Sequence, residues 1–255
     1  VLANAFAVIA DGVDEVIRAA REELRQGAHC IKLMGSGGVA SPSDPLWMNQ
    51  YRDDEIRAIV GECEARRSYA SAHCHPAGAI RRCVELGVRS IEHGTLIDER
   101  TAAVVVEKGA YVVPTLSIIF ALVESGERLG FPAESQAKAA VVARSAMEGL
   151  EVMRRAGVKV AYGTDLLGSL YDQQCREFLL RREVFTPVEI LRQATSVAAE
   201  LMNLAGEIGT IAPGACADLL VVDGDPLADI GLLAENGRRL ALVMRAGEII
   251  RRTPG

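Results

Sequence analysis

A short β-branched run followed by a helical stretch that stops at a glycine recurs along most of this chain, and that alternation limits the folds open to it. Strands are predicted at residues 30–34 (CIKLM), 69–72, 88–91, 111–115 and 159–162. Helices are expected from a cap near Asp11 to Gly27, over 53–67, over 77–86 before Gly87, over 98–108 before Gly109, and over 118–156 with a break at 130–132. A glycine just past a last turn marks a helix stop, and Asp53, Asp54 and Glu55 suit the positive N-terminal end of theirs. Further helices run to about residue 204. Strands alternating with helices at this spacing dictate right-handed crossovers and a parallel sheet, whether barrel or open and doubly wound. No GxGxxG follows a strand, and the glycines of GSGG after Met34 lack the dinucleotide spacing.

Aromatic residues make up only 4% of the 255 residues, which suits strands covered on both faces by helices. The 28 basic against 34 acidic side chains leave a net charge of −6 with no basic tract, which argues against nucleic acid and anionic membrane as partners. Apolar stretches fall well short of the ~18 residues of a spanning helix, and no opening segment reads as a signal peptide. The six cysteines are scattered without a CxxC pair, so reduced thiols and a cytoplasmic setting are expected. After residue 206 the texture turns to Gly, Pro and short apolar runs. There GTIAPGACADLLVVDGDP is expected to form two strands joined at Pro-Gly, and VMRAGEII a tight hairpin around Ala246-Gly247. The expected organisation is an α/β body over 1–205 and a small β-subdomain over 206–255.

The chemistry-bearing residues sit at strand ends. His73 closes YASAH, His93 closes RSIEH, Asp165 follows VAYGT, and Lys32 lies within CIKLM. In a parallel barrel those ends converge on one mouth. A lone strand-end His is ordinarily a hydrogen-bonded loop residue, and an Asp after Gly-Thr an N-cap. A lysine inside a sheet needs a partner or loses its proton. One metal site accounts for all four together better than four separate explanations. Imidazole nitrogen and carboxylate oxygen suit zinc or a similar divalent ion. Lysine joins such a set only as an anion, for instance as the carbamate formed with carbon dioxide.

These residues and the stretches around them, IKLMGSGGVASPSDP, AHCHPAGAIRRCVELGVRSIEHGTLID, VAYGTDLLG and IGTIAPGACADLLVVDGDPLADI, resemble the amidohydrolase superfamily of metal-dependent hydrolases. The likeness is to the branch with Xaa-Pro and Xaa-Arg dipeptidases (prolidases) and imidazolonepropionase-like proteins, and it runs over nearly the whole chain. It implies a TIM (β/α)8 barrel, here represented by about strands four to eight, beside the small C-terminal β-subdomain.

The resemblance further implies two divalent metal ions, zinc being the expectation, bridged by carbamylated Lys32. His73 and His93 would hold the second ion. Asp165 would be a ligand of the first and the catalytic residue, taking the proton from a bridging hydroxide and passing it to the leaving amine. His75 stands where the branch often carries Tyr and is expected to contact substrate. Tyr51 and Trp47, in the loop after Met34, are expected to shape the pocket, and Arg176 and Arg181 are candidates for a substrate carboxylate. The family's H-x-H pair has no counterpart before Lys32, so the expectation is an N-terminally truncated chain. The expected activity is hydrolysis of an amide or peptide C–N bond in a small dipeptide or N-acyl amino acid. The alternatives are opening of a cyclic amide, as in imidazolonepropionase-like proteins, or a non-catalytic fragment lacking the H-x-H ligands. A homo-oligomer is expected.

Overall fold

The computed structural model describes residues 7–253. Five strands, β1 (Cys30–Met34), β2 (Tyr69–Pro76), β3 (Ser90–Leu96), β4 (Tyr111–Val113) and β5 (Lys159–Val160), form one parallel sheet in the order β1-β2-β3-β4-β5. Among the described residues the sheet does not close on itself. Its neighbours follow chain order, as in successive units of a (β/α)8 barrel. Helices α1 (Val13–Arg25), α2 (Asp53–Glu64), α3 (Ala77–Glu85), α4 (Glu99–Glu107), α5 (Leu116–Ser125) and α6 (Ala133–Ala156) alternate with the strands. Three short helices, α7 (Arg176–Arg181), α8 (Pro187–Ala194) and α9 (Ser196–Leu201), follow β5.

The main core lies between one sheet face and the helices, with Ile56, Ile80, Ile91, Val105, Val112 and Leu150 fully buried. At the N-terminal ends of β2 and β4, the Arg89 guanidinium lies 5.3 Å from the Tyr69 ring and 5.5 Å from the Tyr111 ring. It donates to Asn203 Oδ1 at 2.6 Å and to the Glu200 carbonyl at 2.7 Å, which fastens α9 across that end.

The expected helices are present, with boundary corrections at four strands and one cap: β4 and β5 stop at Val113 and Val160, short of the expected residues 115 and 162, and β3 starts at Ser90 rather than 88. Gly12, not Asp11, precedes α1, and with φ 85° it makes no side-chain cap. The Gly12 N–H instead donates to Glu55 Oε1 at 2.7 Å, while Glu55 Oε2 accepts from Arg52 N at 2.7 Å, so one carboxylate ties α1 to the start of α2. Strands β2 and β3 run on past residues 72 and 91, because the ladder continues through Met34↔His73, His73↔Glu92 and Cys74↔His93. His73, His75 and His93 therefore lie inside strands.

A second sheet of β6 (Leu219–Val222), β7 (Leu240–Arg245) and β8 (Glu248–Arg252) is antiparallel in the order β6-β7-β8. Ala246 (φ 49°) and Gly247 (φ 83°) form the expected hairpin turn, both in the left-handed conformation of a two-residue loop. The strand expected within GTIAPG is not formed. That segment turns at Gly206, Gly209 and Gly214, all with positive φ, and is held by turn contacts such as Cys216 N–H to the Glu207 carbonyl at 2.7 Å. All six cysteines are free. Among the described residues no helix is long and apolar enough to cross a membrane.

Candidate active site

Period-two alternation along β2 sends Ala70, Ala72 and Cys74 into the helix-covered core and Ser71, His73 and His75 to the opposite face. The neighbouring strand begins the same way. Ile91 is in the core, while Glu92 accepts from Ser71 Oγ at 2.8 Å and Ser90 Oγ at 2.7 Å. Strict alternation would then drive His93 into the core. Its φ of 75° breaks the alternation and turns the ring toward the other two histidines. Ring centroids are 4.5 Å apart for His73–His93 and 4.9 Å for both His73–His75 and His75–His93. One ring nitrogen from each of the three lies within 4.8 Å of the others, and all three residues are buried.

Two further strand-end residues share this unusual backbone. Asp165 (φ 54°) and Thr115 (φ 49°) are also left-handed, a conformation costing on the order of 1–3 kcal/mol for a non-glycine residue and rarest for a β-branched one. Strain of this kind clusters at functional sites. Here Asp165 Oδ2 reaches 4.0 Å from His93 Nε2, and Thr115 Oγ1 lies 2.6 Å from His93 Nδ1. A second hydroxyl, Thr95 Oγ1, is 2.8 Å from His75 Nδ1. In the same layer, His73 Nε2 lies 3.4 Å from the Gly37 carbonyl, and the His75 N–H donates to Ser36 Oγ at 3.2 Å.

Burial strips the imidazoles of solvent and disfavours their charged forms. Desolvation, aided by the Lys32 charge, lowers His73 to about 4. Desolvation and the His73 charge lower His75 to about 3, and the same effects hold fully buried His93 well below the ordinary value. The three rings are thus neutral at pH 7, the form in which imidazole offers a lone pair to a metal. Desolvation raises the Asp165 carboxyl, with Lys32 partly offsetting the effect.

These groups border a cavity of about 600 Å³ lined by Lys32, His73, His75, His93 and Asp165 on one side. Ile118, Ile119 and Leu122 of α5, with Leu129, Phe131 and Val142, form an apolar wall on the other. The loop after β1 closes over the histidines and is strapped to α6. Lys138 Nζ donates to the carbonyls of Gly38 at 2.6 Å, Asp44 at 2.9 Å and Ser41, and Ser135 Oγ donates to the Ala40 carbonyl at 3.0 Å. The glycines of GSGG serve this approach: a Cβ on Gly38 would meet His73 Nε2 at 3.1 Å, and one on Gly35 would meet Cys74 Sγ at 2.5 Å.

Of the residues singled out from sequence, Lys32, His73, His75, His93 and Asp165 thus meet at one cavity. Lys32 departs from the reading of a lysine inside the sheet. It is exposed, because β1 pairs only with β2 among the described residues. Tyr51 lines a neighbouring groove at α1 and β1, which shares Lys32 and Met34 with the cavity but none of the histidines, and Trp47 is 76% exposed. Neither arginine faces the cavity: Arg176 pairs with Glu124 at 2.5 Å, and Arg181 is fully buried against Glu177. Thr95, Thr115, Lys138 and Glu177 escaped sequence reading, since their partners are 20 to 100 residues away in the chain.

The profile of the amidohydrolase family matches residues 1–250. Among curated proteins, ochratoxinase of Aspergillus niger is 34% identical over 229 residues, covering 89% of this chain and 47% of that protein. Among solved structures, a prolidase complexed with N-methylphosphonate-L-proline superposes with a TM-score of 0.95 at 50% identity, covering 98% of this chain and 61% of that one. A Xaa-Pro dipeptidase with bound methionine gives a TM-score of 0.87 at 29% identity, with coverages of 95% and 59%. The chain therefore spans about half the length of the curated relative and about three-fifths of the solved ones. With nearly its whole length matched by the family profile, the chain belongs to the amidohydrolase family.

Proposed function

We propose that this protein hydrolyses the amide C–N bond of a small substrate, a dipeptide or an N-acyl amino acid, with divalent metal at the histidine cluster. The observation that carries this reading is the convergence of three neutral imidazoles and Asp165 on a cavity whose facing wall is apolar. Two of these buried nitrogens, those of His73 and His93, are uncharged at neutral pH and are donors that fit zinc. His73, His93, Asp165 and Lys32 as its carbamate would hold two such ions. When bound, the ions supply Lewis-acid polarisation of the scissile carbonyl and acidify a water into a nucleophile at neutral pH.

The remaining steps belong to the chain's own residues. Asp165 accepts the proton of the attacking water at its carboxylate and returns it to the departing nitrogen, and its raised value suits both halves of that transfer. His75, whose Nδ1 is engaged by Thr95, directs its other nitrogen at the substrate. Ile118, Ile119 and Phe131 receive an apolar acyl side chain and exclude water around it. Kinship with a prolidase and a Xaa-Pro dipeptidase supports a linear amide with an amino-acid leaving group. The six free thiols favour a cytoplasmic setting.

The test is an assay of the zinc-loaded, full-length protein against Xaa-Pro dipeptides with apolar first residues, Xaa-Arg dipeptides, N-acyl amino acids and a cyclic imidazolone. Release of free amino acid from an apolar linear amide, lost on chelation and restored by Zn²⁺, is the expected result. Ring opening alone would transfer the assignment to cyclic amides. A protein that binds no metal and turns over none of these would overturn the reading in favour of a non-catalytic chain.

A further inference from the structure

We propose that Glu177 is a positioning residue for His93, acting through Thr115, an inference that rests on the reading of His93 as a metal ligand. Thr115 is the residue before α5, yet its side chain does not cap that helix. Its hydroxyl is committed to His93 Nδ1 at 2.6 Å instead. The cap comes from a residue far along the chain. Glu177 Oε2 accepts from Ser117 N–H and Ser117 Oγ, each at 2.8 Å, and Glu177 Oε1 accepts from Leu116 N–H at 3.3 Å.

Glu177 is itself fully buried and held from behind. Arg181 Nε donates to Glu177 Oε1 at 2.9 Å and Arg181 Nη1 donates to Gln193 Oε1 at 2.8 Å. The guanidinium lies 4.9 Å from the Tyr162 ring, and the Tyr162 N–H donates to the Gln193 carbonyl at 3.1 Å. One buried carboxylate therefore fixes the first turn of α5, and its arginine partner braces the strand end that leads to Asp165. With that turn fixed, Thr115 is kept in a left-handed conformation (φ 49°, ψ 47°) that a β-branched residue does not hold unaided.

The consequence is a defined ring. Thr115 Oγ1 accepts the Nδ1 proton of His93, and Nε2 keeps its lone pair on the side facing Asp165. Helix packing alone requires neither the strained threonine nor a charged cap brought from another helix.

The test reads His93 in two ways. Long-range ¹H–¹⁵N spectra of the metal-free protein report the tautomer, and competition with a chromophoric chelator reports Zn²⁺ affinity. The expected wild-type tautomer carries its proton on Nδ1. Glu177→Gln is expected to weaken Zn²⁺ binding by about 10- to 100-fold, the range seen when a ligand's hydrogen-bond partner is lost. Thr115→Gly relieves the backbone strain but removes the hydroxyl, so it is expected to lose affinity similarly without a fall in Tm. Thr115→Ser is expected to restore it. The Thr115 pair keeps the inference testable if Glu177→Gln fails to fold. Unchanged affinity in Thr115→Gly, or equal loss in the Ser and Gly variants, overturns the proposal. A wild-type protein that binds no Zn²⁺ while showing the Nδ1 tautomer overturns the metal reading instead.

Discussion

His93 shows how a single backbone angle converts a strand residue into a site residue. With an ordinary β conformation its ring would lie among Ile91 and Val112 in the core, and φ 75° brings it to His73 and His75 instead. The cost of burying three imidazoles appears as pH dependence. In the unfolded chain they titrate near 6.5, whereas in the folded metal-free protein His73 is lowered to about 4 and His75 to about 3. Between those values the unfolded state binds protons that the folded state refuses. Stability of the metal-free protein is therefore complete above pH 6.5 and declines as pH falls toward 4. Thermal melts from pH 7.5 to 4.5 check this, and a flat Tm would contradict it. At the same scale, Asp165→Asn removes the proton acceptor. On the proposed role of Asp165 as proton acceptor, this is expected to lower kcat by about 10²- to 10⁴-fold with the fold intact, as measured by steady-state hydrolysis and circular dichroism. The residues His73, His93 and Asp165 could be picked out from sequence because each closes or follows a short expected strand. The angles of His93, Thr115 and Asp165 could not, since long-range contacts such as Thr115 to His93 impose them.

Among the elements, the loop after β1 and helix α6 act as a pair. Lys138 satisfies three loop carbonyls at once, and Val39 from the loop packs with Ile119, Leu122 and Val142 in a small apolar cluster of its own. Lys138→Met leaves those carbonyls without their donor and frees the loop that covers His73. The expected result is a KM higher by roughly tenfold, the equivalent of ~1.4 kcal/mol, with a smaller change in kcat. Faster amide exchange over residues 37–44 would accompany it, and unchanged exchange and KM would rule out the strap. Element order was legible in the sequence, because the glycine stops at Gly87, Gly109 and Gly157 punctuate it. The true ends of β2 and β3 were not. Pro76, Glu92 and Gly94 are of types depleted in strands, and it is pairing with the adjacent parallel strand that extends β2 and β3. The strap was also hidden, because a lysine in an amphipathic helix reads as a solvated charge.

For the whole molecule, metal binding and folding are one equilibrium if the cluster forms only in the native state. Zn²⁺ at 100 times its dissociation constant is expected to stabilise the protein by ~2.7 kcal/mol, visible as a raised Tm that chelation reverses. His73→Ala is expected to abolish the shift, and an equal shift in that variant would locate the ion elsewhere. The clamp of Arg89 between Tyr69 and Tyr111 bears on the molecule in another way. It shares no side chain with the cavity, and it stands at the strand ends opposite to those bearing His73, His93 and Asp165. The two rims of the sheet can therefore accept substitutions independently. Cavity residues such as Ile118, Phe131 or His75 can change while the anchoring rim stays unchanged, so a change in the lining of the cavity need not begin with a loss of fold.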